Sequence, residues 1–161
     1  MKNKNFLVPG FIAFLILLSS CRSNIVPVFI DAHRYEVNDF LNLKAGIYKK
    51  KKGKTKITTS KDTIVFYGSH DEMPLEILYL FKNDTCFYQE MNIYCSPCAD
   101  FALNQLLNDK TYKFQALGKK NYVSTKDKNI VMRLTESDHA SPNFEDSKTS
   151  CHSISIRRIN K

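Results

Sequence analysis

From Ile47 to the carboxyl terminus the apolar residues recur mainly at every second position, and one segment breaks that period. Alternation of this kind belongs to strands with one buried face, so it commits most of the chain to sheet. "TIVFYGS", residues 63–69, is rich in the β-branched and aromatic side chains that fit a pleated surface. "PLEILYLFKNDTCFYQEMNIYC" holds two apolar runs broken by Lys82, Asn83 and Asp84, and predicts antiparallel strands at about 75–82 and 85–94. "YKFQAL", "NYVST", "NIVMRLT" and "CHSISIRRI" continue the pattern downstream. The exception is "SPCADFALNQLLND". There Ser96 suits the N-cap and Pro97 the first helical position, while Cys98, Ala102 and Leu106 line one stripe. A shorter helical pattern precedes the strands: Val37, Phe40 and Leu41 stand at i, i+3 and i+4, and Gly46 suits the C-terminal cap. "GIYKKKKGKTKITT" then reads as a hairpin turning at Lys52 and Gly53. Strands, one principal helix at about 96–109 and strands again, with no regular βαβ alternation and no internal repeat, predict an α+β fold. In it the helix packs on an antiparallel sheet.

The chain opens "MKNKNFLVPGFIAFLILLSSC", with two lysines, an apolar run over residues 6–18, and small residues ahead of Cys21. That run is shorter than the roughly 20 residues a permanent spanning helix needs, and the cationic start marks an export signal. "LSSC", residues 18–21, resembles the lipobox of bacterial lipoproteins. The resemblance implies a diacylglycerol on the Cys21 thiol and cleavage just before it. Residues 1–20 are then a signal peptide, 21–30 a lipidated tether kept extended by Pro27, and 31–161 a single domain. Acyl chains contribute about 0.8 kcal/mol per buried CH2, so two or three of them hold a protein on a membrane without a spanning helix. Arg22, where an Asp would signal retention in the inner membrane, points to the outer membrane and a domain facing the periplasm. The expected partners are the membrane, through the acyl chains on Cys21, and an envelope protein or an anionic glycolipid.

Formal charge supports a surface partner of that kind. It is +8 for the whole chain, and losing Lys2 and Lys4 with the signal leaves +6. Lys44, Lys49, Lys50, Lys51, Lys52, Lys54, Lys56 and Lys61 crowd into eighteen positions that contain no acid. Of these, Lys49, Lys50, Lys51, Lys52 and Lys54 are the candidate anionic-surface group, each worth about 1 kcal/mol beside a charged membrane. A solvated tip whose lysines discourage edge pairing accounts for the same residues. Nucleic acid is not an expected partner, because neither a stacking motif nor a helix-turn-helix pattern accompanies the charge.

Four cysteines remain after Cys21: Cys86, Cys95, Cys98 and Cys151. An even count in an oxidising compartment favours disulfides, with three possible pairings. Nine positions apart on one strand, Cys86 and Cys95 point to opposite faces, which favours Cys95 with Cys98 and Cys86 with Cys151. The alternative is redox chemistry, because backbone N–H groups and the macrodipole stabilise a thiolate at a helix start. "CSPC" resembles the CxxC of thioredoxin-like proteins, and the resemblance implies Cys95 as attacking and Cys98 as resolving thiol. It ends after about 25 residues. No βαβ unit lies upstream, and Pro142 lacks the following apolar strand that the family's cis-proline requires. Zinc on Cys95 and Cys98 would need Cys151, His152 or Cys86 as well, but adjacent strand residues face opposite ways, so no metal or other cofactor is expected.

The remaining constellations are weaker. Ser69, His70 and Asp71 are contiguous, and contiguous residues do not converge as a hydrolase triad. Glu76 and Glu90 lie on adjacent expected strands, as a carboxylate pair or as part of a solvated sheet face. The whole reads as a membrane-anchored, periplasm-facing lipoprotein acting as a non-enzymatic binding or envelope accessory protein. Tethered thiol-disulfide exchange at the CSPC motif is the alternative.

Overall fold

A computed structural model describes residues 27–50, 52–70, 73–137 and 150–159. Cys21, Lys51, Asp71 and Pro142 therefore lie outside the described residues. Helix α1, Arg34–Lys50, leads into strands β1 Lys54–Thr59, β2 Thr63–His70, β3 Met73–Lys82 and β4 Thr85–Ile93. Helix α2, Ser96–Leu107, leads into β5 Phe114–Gly118, β6 Asn121–Ser124, β7 Ile130–Ser137 and β8 Cys151–Arg158. The strands form one antiparallel sheet in the order β1-β2-β3-β4-β8-β7-β6-β5. Each half of the chain is thus a helix followed by a four-stranded meander. The second meander starts at the far edge and works back until β8 pairs with β4.

The α+β class and the antiparallel sheet match the expectation, but one principal helix does not describe the fold. α1 has 17 residues against 12 in α2. It runs through Gly46, whose missing Cβ would meet nothing within 4 Å, and absorbs residues 47–50, for which the sequence pattern predicts a hairpin. The inward stripe is Val37, Leu41, Lys44 and Tyr48, so a lysine occupies a position where the helical period calls for an apolar residue. Lys52 turns the chain out of the helix in a left-handed conformation, φ 59, and Gly53 N donates to Tyr48 O at 2.8 Å.

Register carries one apolar row across six strands: Ile57, Phe66, Ile77, Met91, Ile154 and Leu134 are successive cross-strand partners. Both helices pack on this face. Gly68 shares it, and a Cβ there would stand 2.7 Å from Phe66 Cε1 and 3.1 Å from Tyr48 Cε1, so the glycine lets α1 approach the sheet. Asn83 and Asp84, with φ 52 and 58, make the two-residue β3–β4 turn in which both positions are left-handed. Just past that turn a register shift beside Leu80 and Phe81 pairs Phe81 with Cys86 and sends the Cys86 side chain into the core.

The amino-terminal segment crosses the same face. Phe29 N donates to Gln89 Oε1 at 2.9 Å, and Gln89 Nε2 donates to Pro27 O at 3.2 Å. Ile30 is buried, its carbonyl accepts from Tyr112 OH at 3.3 Å, and Asp31 N donates to Cys86 O at 2.8 Å. Residues 28–30, expected in the tether, belong to the folded body. Ile30 of "PVFI" is a core residue, and half-buried Val28 and Phe29 pack against the core.

Candidate functional site

Two neighbourhoods bring chemically capable side chains together. The first surrounds the CSPC motif. Cys95, extended at φ −146 and ψ 111, is the N-cap, and its carbonyl accepts from Ala99 N at 2.9 Å. That first turn brings Cys98 back over Cys95, and the two are disulfide-bonded with Cα atoms 5.2 Å apart. Ser96, expected to cap the helix, is its first helical residue instead. Its hydroxyl is free to turn outward, and Ser96 Oγ lies 2.8 Å from His152 Nε2. His152 Nδ1 is 3.9 Å from Glu136 Oε1, and Lys120 Nζ is 3.1 Å from that same oxygen. Serine, histidine and carboxylate follow one another in the order of a hydrolase triad. However, 3.9 Å is beyond hydrogen-bond reach and Lys120 holds the carboxylate, so the imidazole lacks the orienting bond that makes a general base. The sequence separation of 56 between Ser96 and His152 hid this contact.

The other two cysteines are free thiols, which corrects the expected Cys86–Cys151 bridge. Cys86 lies beyond the Tyr88–Arg157 end of the β4–β8 ladder on the core face, and Cys151 beyond the Ile93–His152 end on the opposite face. The length of the ladder separates them. Burial pushes the Cys86 thiol up to about 12, and burial also raises Cys151. Neither is poised as a nucleophile. Among the described residues no three His, Cys, Asp or Glu side chains converge as a metal site.

The second neighbourhood lies on the sheet face turned away from the helices. Alternation places Tyr67, Glu76, Asn92 and Ser153 in one cross-strand row, Leu78, Glu90, Ser155 and Arg133 in the next, and Leu80, Tyr88, Arg157 and Val131 in a third. Asn92 Nδ2 donates to Glu76 Oε1 at 3.4 Å, and Tyr88 OH donates to Glu90 Oε2. The Glu76 carboxyl is raised, chiefly by burial among its neighbours, with Glu90 adding like-charge repulsion and the Asn92 bond opposing both. Burial, then Glu90, raises the Tyr88 hydroxyl. The two carboxylates are thus diagonal neighbours at the centre of the sheet, with Arg157 and Arg133 on the strands beside them. Such a surface offers acceptors, guanidinium donors and phenol rings to one ligand.

The lysine group divides. Lys49 and Lys50 end α1, Lys52 follows in the turn, and Lys54 begins β1, all of them exposed. Lys44 points inward at 4% exposure, its Nζ 5.9 Å from the Phe40 ring centre and 5.6 Å from that of Tyr48. No described helix is long and apolar enough to cross a membrane. Comparison with protein-family models, with curated proteins and with solved structures finds no match for this chain.

Proposed function

We propose that this chain is a lipid-anchored envelope protein that binds an extracytoplasmic partner through the sheet face away from its helices. The observation that carries this reading is the make-up of that face. Among the described residues no helix packs on it, yet its centre holds half-buried Leu78 and Leu80 beside a Glu76–Glu90 pair, with half-buried Val131 two strands away. A face evolved only for solvation needs neither the apolar side chains nor carboxylates close enough to repel. The test is a photo-crosslinking amino acid placed at Tyr67 or Ser155 of the full-length protein in cells, with Gln105 on the exposed side of α2 as control. Adducts of one defined mass from the first two positions, absent from the third and reduced by Arg157→Ala, are expected. Equal labelling at all three positions overturns the reading.

Thiol-disulfide exchange is the second reading, favoured by a half-buried disulfide at the start of α2 with an imidazole one hydroxyl away. A potential below about −300 mV without insulin reduction makes Cys95–Cys98 a staple, whereas a more oxidising bond and an acidic Cys95 thiol favour exchange.

A further inference from the structure

We propose that the outer side of the carboxyl-terminal half of α1 rests on an anionic lipid surface, which turns the opposite sheet face away from the membrane. This rests on the reading of Cys21 as lipidated. Six residue steps separate Cys21 from Pro27, a reach of at most about 20 Å even when fully extended. The place where that tether enters is fixed. Pro27 O is held by Gln89 on the helix-bearing face, and the Phe29 ring lies 5.2 Å from that of Phe40 in α1. An anchor so short keeps the helical side of the sheet close to the acyl chains.

That side carries the matching chemistry. α1 exposes Leu43 at 67% and Ile47 at 40%, one turn apart, with exposed Gly46 between them and Lys49 and Lys50 following. Lys52 extends the positive charge past the helix end. The acids of α1, Glu36 and Asp39, stand at its amino-terminal end, and residues 40–50 contain none. Two apolar side chains followed by lysines at the carboxyl-terminal end of the helix suit the boundary between headgroups and acyl chains. The leucine and isoleucine enter the apolar layer, while the ammonium groups meet lipid phosphates. With the helices down, the Glu76–Glu90 face is presented outward.

The experiment uses the protein as cells make it from the full chain, extracted in detergent and returned to phosphatidylcholine vesicles with and without phosphatidylglycerol, the outer leaflet carrying a spin-labelled lipid quencher. A fluorescent amino acid replaces Leu43 in one sample and Tyr67 in another. Blue-shifted, quenched emission is expected at 43 and unshifted emission at 67. The quenching should be stronger with phosphatidylglycerol, and the docked-to-undocked ratio should fall about fivefold for each of Lys49→Gln and Lys50→Gln. Quenching at 67 rather than 43, or at neither while the protein survives a high-salt wash, overturns the inference and leaves the anchor standing. A protein that washes off overturns the anchor, and quenching at 43 before the wash then supports the surface on its own.

Discussion

Gln89 is a fully buried polar residue in the middle of an apolar face, and both ends of its amide are used by residues 27–29. Its amide stands in for one rung of a strand ladder. Gln89→Leu keeps the volume but releases the N–H of half-buried Phe29 and the carbonyl of exposed Pro27, so stability should fall by about 1–2 kcal/mol, as urea unfolding would show. Lys44 gives a pH-dependent expectation. Burial holds its ammonium down to about 8 from an ordinary 10.5. Below pH 8 the group is charged in both states, and folding carries the desolvation cost, up to about 3 kcal/mol before the aromatic contacts offset part of it. Between pH 8 and 10.5 the unfolded chain binds the proton that the folded chain has released, so this cost fades as pH rises. Cys86 acts in the opposite sense above its ordinary 9, since the folded thiol keeps a proton that the unfolded one loses. A comparison with Lys44→Met cancels that contribution. The variant should be the more stable at pH 7, by a margin that shrinks towards pH 10, and a constant margin in denaturant midpoints would refute the assignment. Neither residue announced itself in the sequence. A glutamine between tyrosine and glutamate on a strand, or a lysine near a lysine run, reads as solvated until the phase of the neighbouring elements is known.

The elements were legible where local chemistry decided them. Alternation placed β2, β3 and β4, and the Asn83–Asp84 turn set their hairpin, because left-handed conformations suit those residues. The end of α1 is not legible, since a glycine and four lysines look like punctuation. Lysine is in fact a good helix former, and one interior glycine costs only about 1 kcal/mol. The two glycines should therefore respond in opposite directions. Gly46→Ala should raise stability by roughly 0.5–1 kcal/mol, as its Cβ meets nothing. Gly68→Ala should lower it by about 1–3 kcal/mol, because that Cβ collides with Phe66 and Tyr48. Thermal melts of the pair check both signs. The Cys95–Cys98 bond closes a very short loop, so the Cys95→Ser/Cys98→Ser variant should lose only about 2 kcal/mol. A collapse of the fold on reduction would mean that the bond organises more than the start of α2.

At the scale of the molecule, two helix-and-meander halves share one sheet, although no repeat is visible in the residues. What the halves have in common is only the alternation of apolar and polar positions, which many sequences satisfy. The last strand to be written, β8, sits at the centre, which is why its contacts with Ser96, Asp31 and β4 could not be foreseen from spacing. A chain ending after Ser137 would leave β4 unpaired on one side and remove Arg158 from Asp31 and Asp127. It should lack the far-UV dichroism of the intact sheet, and a folded truncation would show that β1–β4 stand alone. The same arrangement has a mechanical side. Tension applied at the amino terminus enters through Gln89 and Arg158, next to the seam between the halves. The chain is thus gripped at mid-span, and its two outermost strands, the ones easiest to peel, feel the pull last.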